Sequence, residues 1–432
     1  MLRILLKAPN RLALVNMLML YAGKTSGILV GVLFLPLYSR LLGAEQFGVV
    51  AVILSLQALL IMLDLGMSTL VSRDVAAAES GLTALLKLIH NAEFSLTGFY
   101  GCLLLGIAIF KIAGGFPSLT FATLIIIVCL LWILILQNLY YSAVLARKSY
   151  SVASSIQFIS TVMRAIISWY VLTNISATLF AFIVTQLIIS IISCVISRNY
   201  LFSILEKQLG TDTDTYTFHK TSLNQSLKLI LKNKALLLSG LVGAIAMQLD
   251  KPIISYFMSP SSVGPYFLAV ALGSTPVAVL AGPIVQYFQP RITHDLANKN
   301  HLSYQNNLKY FIASMAFLVL IPLTFLYLQN VSIVHLWLGS STQSNLVSFY
   351  SKILLIAYGI ATIGYVPYAI IIAKQDYKFQ AIVSIIATIF VLFAVIISAY
   401  FSKIDFICYA YVLYFSIATI SFLLRVSWKH VK

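Results

Sequence analysis

PLYSRLLGAEQFGVVAV, residues 36–52, has a counterpart in PIISYFMSPSSVGPYFL, residues 252–268. Proline, serine and glycine recur at the same spacing in both stretches, and the offset of 216 residues is half of the 432-residue chain. The matched residues are Pro36, Ser39 and Gly48 in the first stretch and Pro252, Ser255 and Gly264 in the second. YSAVLARKSY (141–150) and YAIIIAKQDY (368–377) align in the same way at an offset of 227. The sequence therefore predicts a chain built from two related halves.

The composition excludes a soluble protein. Hydrophobic residues make up 60% of the chain and charged residues only 9%, whereas soluble domains carry roughly 25% charged residues. We count about twelve continuous apolar runs of roughly 20 residues or more, each long enough to cross a bilayer once as a helix. The predicted spans are 12–38, 46–72, 91–113, 119–145, 152–173, 176–197, 235–257, 263–289, 309–330, 346–373, 380–400 and 405–427. The expected fold is an all-α integral membrane protein.

The basic residues predict the orientation in the membrane. With the N-terminus in the cytoplasm, 21 of the 28 Lys and Arg residues fall on the inside and only 3 on the outside, as the positive-inside rule requires. The net charge of +16 then reflects cytoplasmic loops that face an anionic leaflet, not a nucleic-acid surface. Both termini are expected in the cytoplasm, and we expect no cleaved signal peptide before the first span.

The longest stretch between spans divides the chain. We predict an N-terminal six-helix bundle over residues 1–200, a cytoplasmic linker over 201–234 and a C-terminal six-helix bundle over 235–432. Because six is an even number, the halves run parallel, and two such bundles are expected to enclose a cavity open to one side at a time. In this arrangement residues 36–48 form an outer hairpin, in which Gly43 and Gly48 permit the turn and Pro36 bends the preceding helix.

Charged residues inside the spans are the candidate functional residues, because each is costly in a membrane unless it faces water or a partner. The cations are Lys24, Arg164, Lys251 and Lys352, and the acids are Asp64 and Asp250. This balance favours an anionic substrate, most simply a phosphorylated lipid headgroup. Alternatively, Lys251 and Lys352 reach the outer interface, and Asp64 pairs structurally near the inner end of its helix. Arg40, in the hairpin, is a minor candidate for binding a ligand at the outer mouth.

No resident metal or cofactor is expected. The six histidines are scattered without metal-ligand spacing, and the four cysteines lie apart in apolar spans as small core residues. GKT at 23–25 lacks the upstream glycine of a phosphate-binding loop and lies in an apolar helix. The chain is therefore expected to be a transporter and not an enzyme.

Three stretches carry a family resemblance: PLYSRLLGAEQFGVVAV (36–52), LDLGMSTLVSR (63–73) and LDKPIISYFMSPSSVGPYFLA (249–269). Together with the duplicated helices they resemble the polysaccharide exporters of the multidrug/oligosaccharidyl-lipid/polysaccharide (MOP) superfamily, and most closely the Wzx-type O-antigen flippases. The resemblance implies a MATE-like fold in the bacterial inner membrane. It also implies movement of an undecaprenyl-diphosphate-linked oligosaccharide, a polysaccharide repeat unit, from the cytoplasmic to the periplasmic leaflet by alternating access.

The resemblance also implies roles for the intramembrane charges. Lys24, Arg164, Lys251 and Lys352 match a cationic lumen for a diphosphate or acidic sugars, and Asp64 and Asp250 match ion coupling or charge pairing. The driving force is expected to be a gradient of H⁺ or Na⁺. The expected partners are the polyprenyl-linked oligosaccharide, membrane lipids and the polysaccharide polymerase machinery.

Two other functions fit parts of the sequence. A MATE-type cation-coupled multidrug antiporter has the same fold but predicts an acid-rich lumen, for which only Asp64 and Asp250 qualify. A membrane glycosyltransferase or O-antigen polymerase predicts a large periplasmic loop, and the predicted outer loops are short.

Overall fold

The structure, a computed structural model, describes residues 8–62, 67–68, 71–72, 75, 82–112, 120–147, 149–209, 245–298 and 300–428. The first half contains the helices α1 (Ala8–Met62), α2 (Leu82–Ile112), α3 (Phe121–Ala146), α4 (Tyr150–Asn174) and α5 (Leu179–Leu209). The second half contains α6 (Asp250–Phe257), α7 (Pro260–Pro276), α8 (Gly282–Ala297), α9 (His301–Met315), α10 (Ile321–Leu328), α11 (Asn330–Leu338), α12 (Thr342–Ala373), α13 (Tyr377–Tyr400) and α14 (Ile404–Trp428). The prediction of an all-α protein is confirmed.

Within the described part of the chain, ten helical segments are long and apolar enough to cross a membrane. They are Ser26–Leu59, Leu85–Ile109, Phe121–Ala146, Tyr150–Asn174, Leu179–Lys207, Pro260–Leu296, His301–Leu328, Thr342–Ala373, Tyr377–Tyr400 and Ile404–Ser427. The first of these takes in parts of two predicted spans, 12–38 and 46–72. Of the predicted span 235–257, residues 235–244 lie outside the described residues, and the remaining 13 are too few for a crossing. These two points account for the difference from twelve.

Apolar side chains on the helix surfaces confirm a multi-pass membrane protein. On α13, exposed large side chains recur with helical spacing at Ile382, Ile385, Ile386, Ile389 and Phe393. A soluble protein rarely exposes so continuous an apolar stripe to water, whereas in a membrane protein such a stripe contacts lipid. The orientation of the termini stays a prediction.

Gly43 breaks α1 into two helices. Its backbone has φ +72° and ψ 175°, a conformation that costs glycine little but strains residues with a Cβ. The helix therefore breaks at Gly43, where the sequence predicts the turn of the hairpin; the hairpin itself stays a prediction. Beside the hairpin, the side-chain amide of Gln343 donates a hydrogen bond of 2.8 Å to Ser39 Oγ, which ties the hairpin to α12.

Gly48 does not serve the turn, so that part of the hairpin prediction is wrong. It lies within helix, and a Cβ placed on it would overlap the carbonyl oxygen of Pro260 at the start of α7. Its counterpart Gly264 packs in the same way, because a Cβ there would lie 3.1 Å from the Phe47 ring and 3.9 Å from the carbonyl oxygen of Ala44. Both contacts join position 44 or 48 to position 260 or 264, so the crossing follows the 216-residue repeat.

The chain forms two compact units. Among the described residues, one unit falls within Met1–Phe34 and Gln57–Leu241, and the other within Leu35–Leu56 and Val242–Lys432. The segment Leu35–Leu56 thus belongs with the second unit, as its contacts with Pro260 and Gln343 require. The boundaries proposed from the sequence for the two bundles and the linker remain predictions.

Two π-helical turns interrupt long helices of the second unit. Val277–Ala281 separates α7 from α8, and Ala316–Leu320 separates α9 from α10. The two turns contact each other. Each precedes a proline in the second position of the next helix, Pro283 or Pro322, and a proline cannot donate the usual main-chain hydrogen bond.

Candidate functional site

The second unit contains a buried charge cluster at the start of α6. Residues 245–248 are helical, the chain bends at Leu249, and α6 begins at Asp250. Pro252 explains the interruption, because its ring excludes the carbonyl of the residue four positions before it, here Gln248. The bend places Asp250 in the first turn of α6, where the helix dipole favours a negative charge.

Four hydrogen-bond donors surround the carboxylate of Asp250. Its Oδ1 accepts from Lys251 Nζ at 2.8 Å and from the Lys251 backbone N–H at 2.9 Å. Its Oδ2 accepts from the Tyr266 hydroxyl at 2.6 Å, and the Tyr411 hydroxyl lies 3.0 Å away. Tyr411 has a single proton to share, and the carbonyl oxygen of Ala246 lies 2.8 Å from the same hydroxyl. A carboxylate has about four lone-pair sites, so three donors and a shared fourth satisfy most of the ionised form of Asp250.

Lys251 is equally well satisfied. Its ammonium donates to Asp250 Oδ1 and to the carbonyl oxygen of Met247 at 2.9 Å, and it lies 5.9 Å from the centre of the Tyr266 ring. Only 2% of the Lys251 side chain and 1% of the Asp250 side chain are exposed. A buried pair survives in such a place only when both charges are neutralised and hydrogen-bonded. In this conformation the pair is electrically neutral and closed to a substrate.

The structure brings two of the six predicted intramembrane charges together, namely Asp250 and Lys251. Arg164 is half-buried in α4 of the first unit, and Lys352 is exposed on α12 of the second. Asp64 and the side chain of Lys24 lie outside the described residues. The role of each in substrate binding or ion coupling stays a prediction.

Arg40, assigned from the sequence to the outer mouth, is exposed in the hairpin. Its Nη2 lies 3.5 Å from the position that a Cβ would take on Gly339. Gly339 ends α11 with φ +79°, so the guanidinium lies beside the loop before α12. This location supports packing of the hairpin and leaves the predicted ligand role untested.

Sequence reasoning missed a second charge cluster, in the first unit. Glu93 on α2 accepts hydrogen bonds on one oxygen from the Tyr140 hydroxyl at 2.6 Å and from Arg198 Nε at 3.2 Å. The Arg198 guanidinium also lies 4.5 Å from the centre of the Phe202 ring. This cluster ties α2, α3 and α5 together.

The second unit holds a related pair between Arg425 and Asp376, with Nε and Oδ2 2.9 Å apart. Arg425 lies over the Phe379 ring at 5.0 Å, much as Arg198 lies over Phe202. Arg198 and Arg425 are 227 residues apart, the offset of the second repeated stretch. That offset is a signal in the sequence, where both arginines count only among the 21 basic residues predicted on the cytoplasmic side.

The profile of the polysaccharide biosynthesis protein family matches residues 13–294, about two thirds of the chain. The chain belongs to this family. No curated protein matches the sequence closely enough to count as a relative.

Solved structures of MOP superfamily members share the fold of this family member. An inward-facing multidrug-resistance MATE transporter has a TM-score of 0.71 at 14% identity, over 93% of this chain and 94% of the other. The lipid II flippase MurJ, in an inward closed conformation, also has a TM-score of 0.71, at 16% identity over 96% and 87%. A MOP transporter from Pyrococcus furiosus, noted for a binding pocket of reversed polarity, has a TM-score of 0.60 at 15% identity over 95% of both chains. The predicted MATE-like fold is confirmed.

Proposed function

We propose that this protein is a flippase of the bacterial inner membrane. It moves a polyprenyl-diphosphate-linked oligosaccharide, the repeat unit of an O-antigen or related polysaccharide, from the cytoplasmic to the periplasmic leaflet by alternating access. Membership of the polysaccharide biosynthesis protein family supports a role in making such polymers. The fold shared with the lipid II flippase MurJ supports a lipid-linked substrate.

The proposal rests on the excess of positive over negative charges predicted within the membrane spans. Of the six charges predicted within the spans, Asp250 and Lys251 neutralise each other. The remaining predicted charges are the cations Lys24, Arg164 and Lys352 and the single acid Asp64. Glu93, which lies in the span Leu85–Ile109, is matched by Arg198. A surplus of cations in a membrane stabilises an anion there, and a lipid diphosphate is an anion that has to cross.

In this mechanism the cations contact the diphosphate of the lipid. A diphosphate leaving water loses its hydration, and the cost rises steeply in a medium of low dielectric constant. Lys24, Arg164 and Lys352 would offset that cost by direct charge contact, while the polyprenyl tail remains in lipid. A gradient of H⁺ or Na⁺ would drive the cycle, with Asp64 as the candidate coupling acid, and the product would pass to the polymerase machinery.

Flipping in reconstituted vesicles tests the proposal. Proteoliposomes would contain the full chain and a fluorescent polyprenyl-diphosphate oligosaccharide, and a membrane-impermeant quencher would report which leaflet holds the fluorophore. We expect protein-dependent equilibration between the leaflets that a polyprenyl-linked lipid without phosphate does not show. Vesicles with protein that flip no faster than empty vesicles would refute the flippase function.

A multidrug antiporter is the alternative function, because a multidrug-resistance MATE transporter shares the fold. Its substrates are expected to be cations, which an excess of lysine and arginine repels. Accumulation of cationic dyes in cells with and without the protein separates the two functions. We expect no difference, and clear efflux would favour the antiporter.

Arg164→Gln is expected to slow flipping at least about tenfold, because it removes one charge-assisted contact with the diphosphate. The matched control is Lys403→Gln, which removes the same charge from an exposed turn between α13 and α14. Both variants are compared with the wild type by initial flipping rate, at equal amounts of monodisperse protein. Equal rates for Arg164→Gln and the wild type would remove Arg164 from the substrate path.

A further inference from the structure

Arg147 ends α3 in an unusual environment. Its backbone N–H caps the helix by donating to the carbonyl oxygens of Ala143 and Leu145. Its side-chain Nε and Nη2 are buried and have no hydrogen-bond partner among the residues that the structure describes. The guanidinium therefore has an inward edge with two buried, unsatisfied donors.

Two buried donors without acceptors favour a bound ligand at this edge of the guanidinium. A buried donor without a partner costs free energy, and native structures leave few of them unless water or an ion fills the site. The side chain of an arginine at a helix C-terminus commonly bonds the last carbonyl groups, but Nε and Nη2 of Arg147 make no such bond with the described residues. Because the side chain is partly desolvated, the pKa of Arg147 is lowered, and a bound anion would reverse this penalty.

The identity of the two nitrogens narrows the choice of ligand. Nε and Nη2 lie on one side of the planar guanidinium and point the same way, so together they can bind two oxygens of one phosphate or carboxylate. Arg198 and Arg425 already have the carboxylates of Glu93 and Asp376 as partners. Among these three arginines, Arg147 alone has its Nε without a protein acceptor.

The two helices that flank Arg147 each carry a buried hydroxyl group without a hydrogen-bond partner among the described residues. Tyr141 lies in the last turns of α3 and Ser154 in the first turns of α4. Their hydroxyls approach each other, yet neither is within a hydrogen bond of ordinary geometry. Hydroxyl groups can donate to phosphate oxygens as well as accept. The helices on either side of the bend therefore add two buried hydroxyl groups to the two unsatisfied nitrogens of Arg147.

We propose that the inward edge of Arg147 binds a phosphate group at the bend between α3 and α4. The bend lies at the end of two membrane spans, on the side that the sequence predicts to be cytoplasmic, where anionic lipids give the membrane surface a negative potential. The phosphate belongs either to an anionic phospholipid headgroup or to the diphosphate of the transported lipid. The second source rests on the proposed function, and the first does not.

Lipid binding by purified full-length protein tests the site. Native mass spectrometry would measure the affinity for phosphatidylglycerol, for undecaprenyl diphosphate and for phosphatidylcholine as the zwitterionic reference. Arg147→Gln is expected to bind one of the two anionic lipids at least about tenfold more weakly. Arg147→Lys, which keeps the charge but loses the two-nitrogen edge, should show a partial loss.

The chain offers a matched control in Lys374, which is 227 residues after Arg147 and caps α12 as Arg147 caps α3. Lys374→Gln removes one positive charge from the equivalent place in the repeat and should bind both lipids as the wild type does. Loss confined to phosphatidylglycerol identifies the source as a phospholipid, and loss confined to undecaprenyl diphosphate identifies it as the substrate. Equal binding by Arg147→Gln and the wild type, or an equal loss in Lys374→Gln, would overturn the proposal.

A measurement on the wild type removes any dependence on how the variants fold. Phenylglyoxal modifies arginine side chains, and peptide mass spectrometry gives the rate at Arg147 and at Arg425. The lipid that binds should slow modification of Arg147 and leave Arg425 unchanged, and no protection by either lipid would contradict the site. If the protein does not flip the lipid but phosphatidylglycerol still protects Arg147, the proposed transport function is refuted and the phosphate site is supported.

Discussion

Asp250→Asn is expected to destabilise the protein by about 3–5 kcal/mol, because it leaves the Lys251 ammonium buried without a counter-charge. Lys251 is 2% exposed and its nearest acceptors are Asp250 and the Met247 carbonyl, so the ammonium cannot regain water without moving the helix. Thermal unfolding in detergent, followed by loss of monodisperse protein, measures the change. A melting temperature within about 2 °C of the wild type would contradict the closed ion pair, given that 1 kcal/mol shifts it by a few degrees.

The double variant Asp250→Asn, Lys251→Met separates charge from packing. Asparagine keeps an oxygen acceptor for Tyr266 and Tyr411, and methionine keeps the apolar length of the lysine stem. Because no charge is then left alone, the double variant should be more stable than Asp250→Asn by itself. Lys352→Met is the control for lysine removal, since Lys352 is exposed and its loss should change stability by less than about 0.5 kcal/mol.

Gly48→Val is expected to cost about 3 kcal/mol or more, since it forces side-chain atoms into the backbone of Pro260 at the helix crossing. Backbone atoms at the start of α7 cannot move aside as the end of a side chain can. Gly264→Ala should cost less, about 1 kcal/mol, because the atom it meets belongs to the Phe47 ring. The same thermal assay gives both values.

Gly359→Ala is the matched control within the second unit. A Cβ on Gly359 meets no atom of the described residues within 4 Å, and alanine is a better helix former than glycine by about 0.5–1 kcal/mol. We expect this variant to be as stable as the wild type or slightly more so. If Gly48→Val and Gly359→Ala behaved alike, the close crossing of Gly48 with Pro260 would be wrong.

The sequence predicted the helices and the break at Gly43 because both depend on local properties. Run length and hydropathy identify a span, and the turn at Gly43 uses a conformation that only glycine adopts freely. Gly48 was misassigned to the turn because its requirement comes from Pro260, a residue 212 positions away. A glycine chosen for a close helix crossing and one chosen for a turn look the same in one sequence.

The ion pair was harder to foresee than the helices. Neighbouring residues on a regular helix point about 100° apart and do not face each other. The sequence alone therefore indicates two separate charges at Asp250 and Lys251. The bend at Leu249 and the long lysine stem let the two side chains meet. Tyr266 and Tyr411 complete the cluster from 16 and 161 residues away, and no pattern in a single sequence reports such contacts.

The adjacent π turns at Val277–Ala281 and Ala316–Leu320 have a mechanical consequence. Pro283 and Pro322 cannot bond the carbonyl groups four residues before them, Val279 and Leu318, both of which lie within the π turns. Bending at these turns therefore breaks fewer main-chain hydrogen bonds than bending elsewhere along the same helices. Because the two turns touch, the helices α7–α8 and α9–α10 share one hinge line, about which they are expected to flex together.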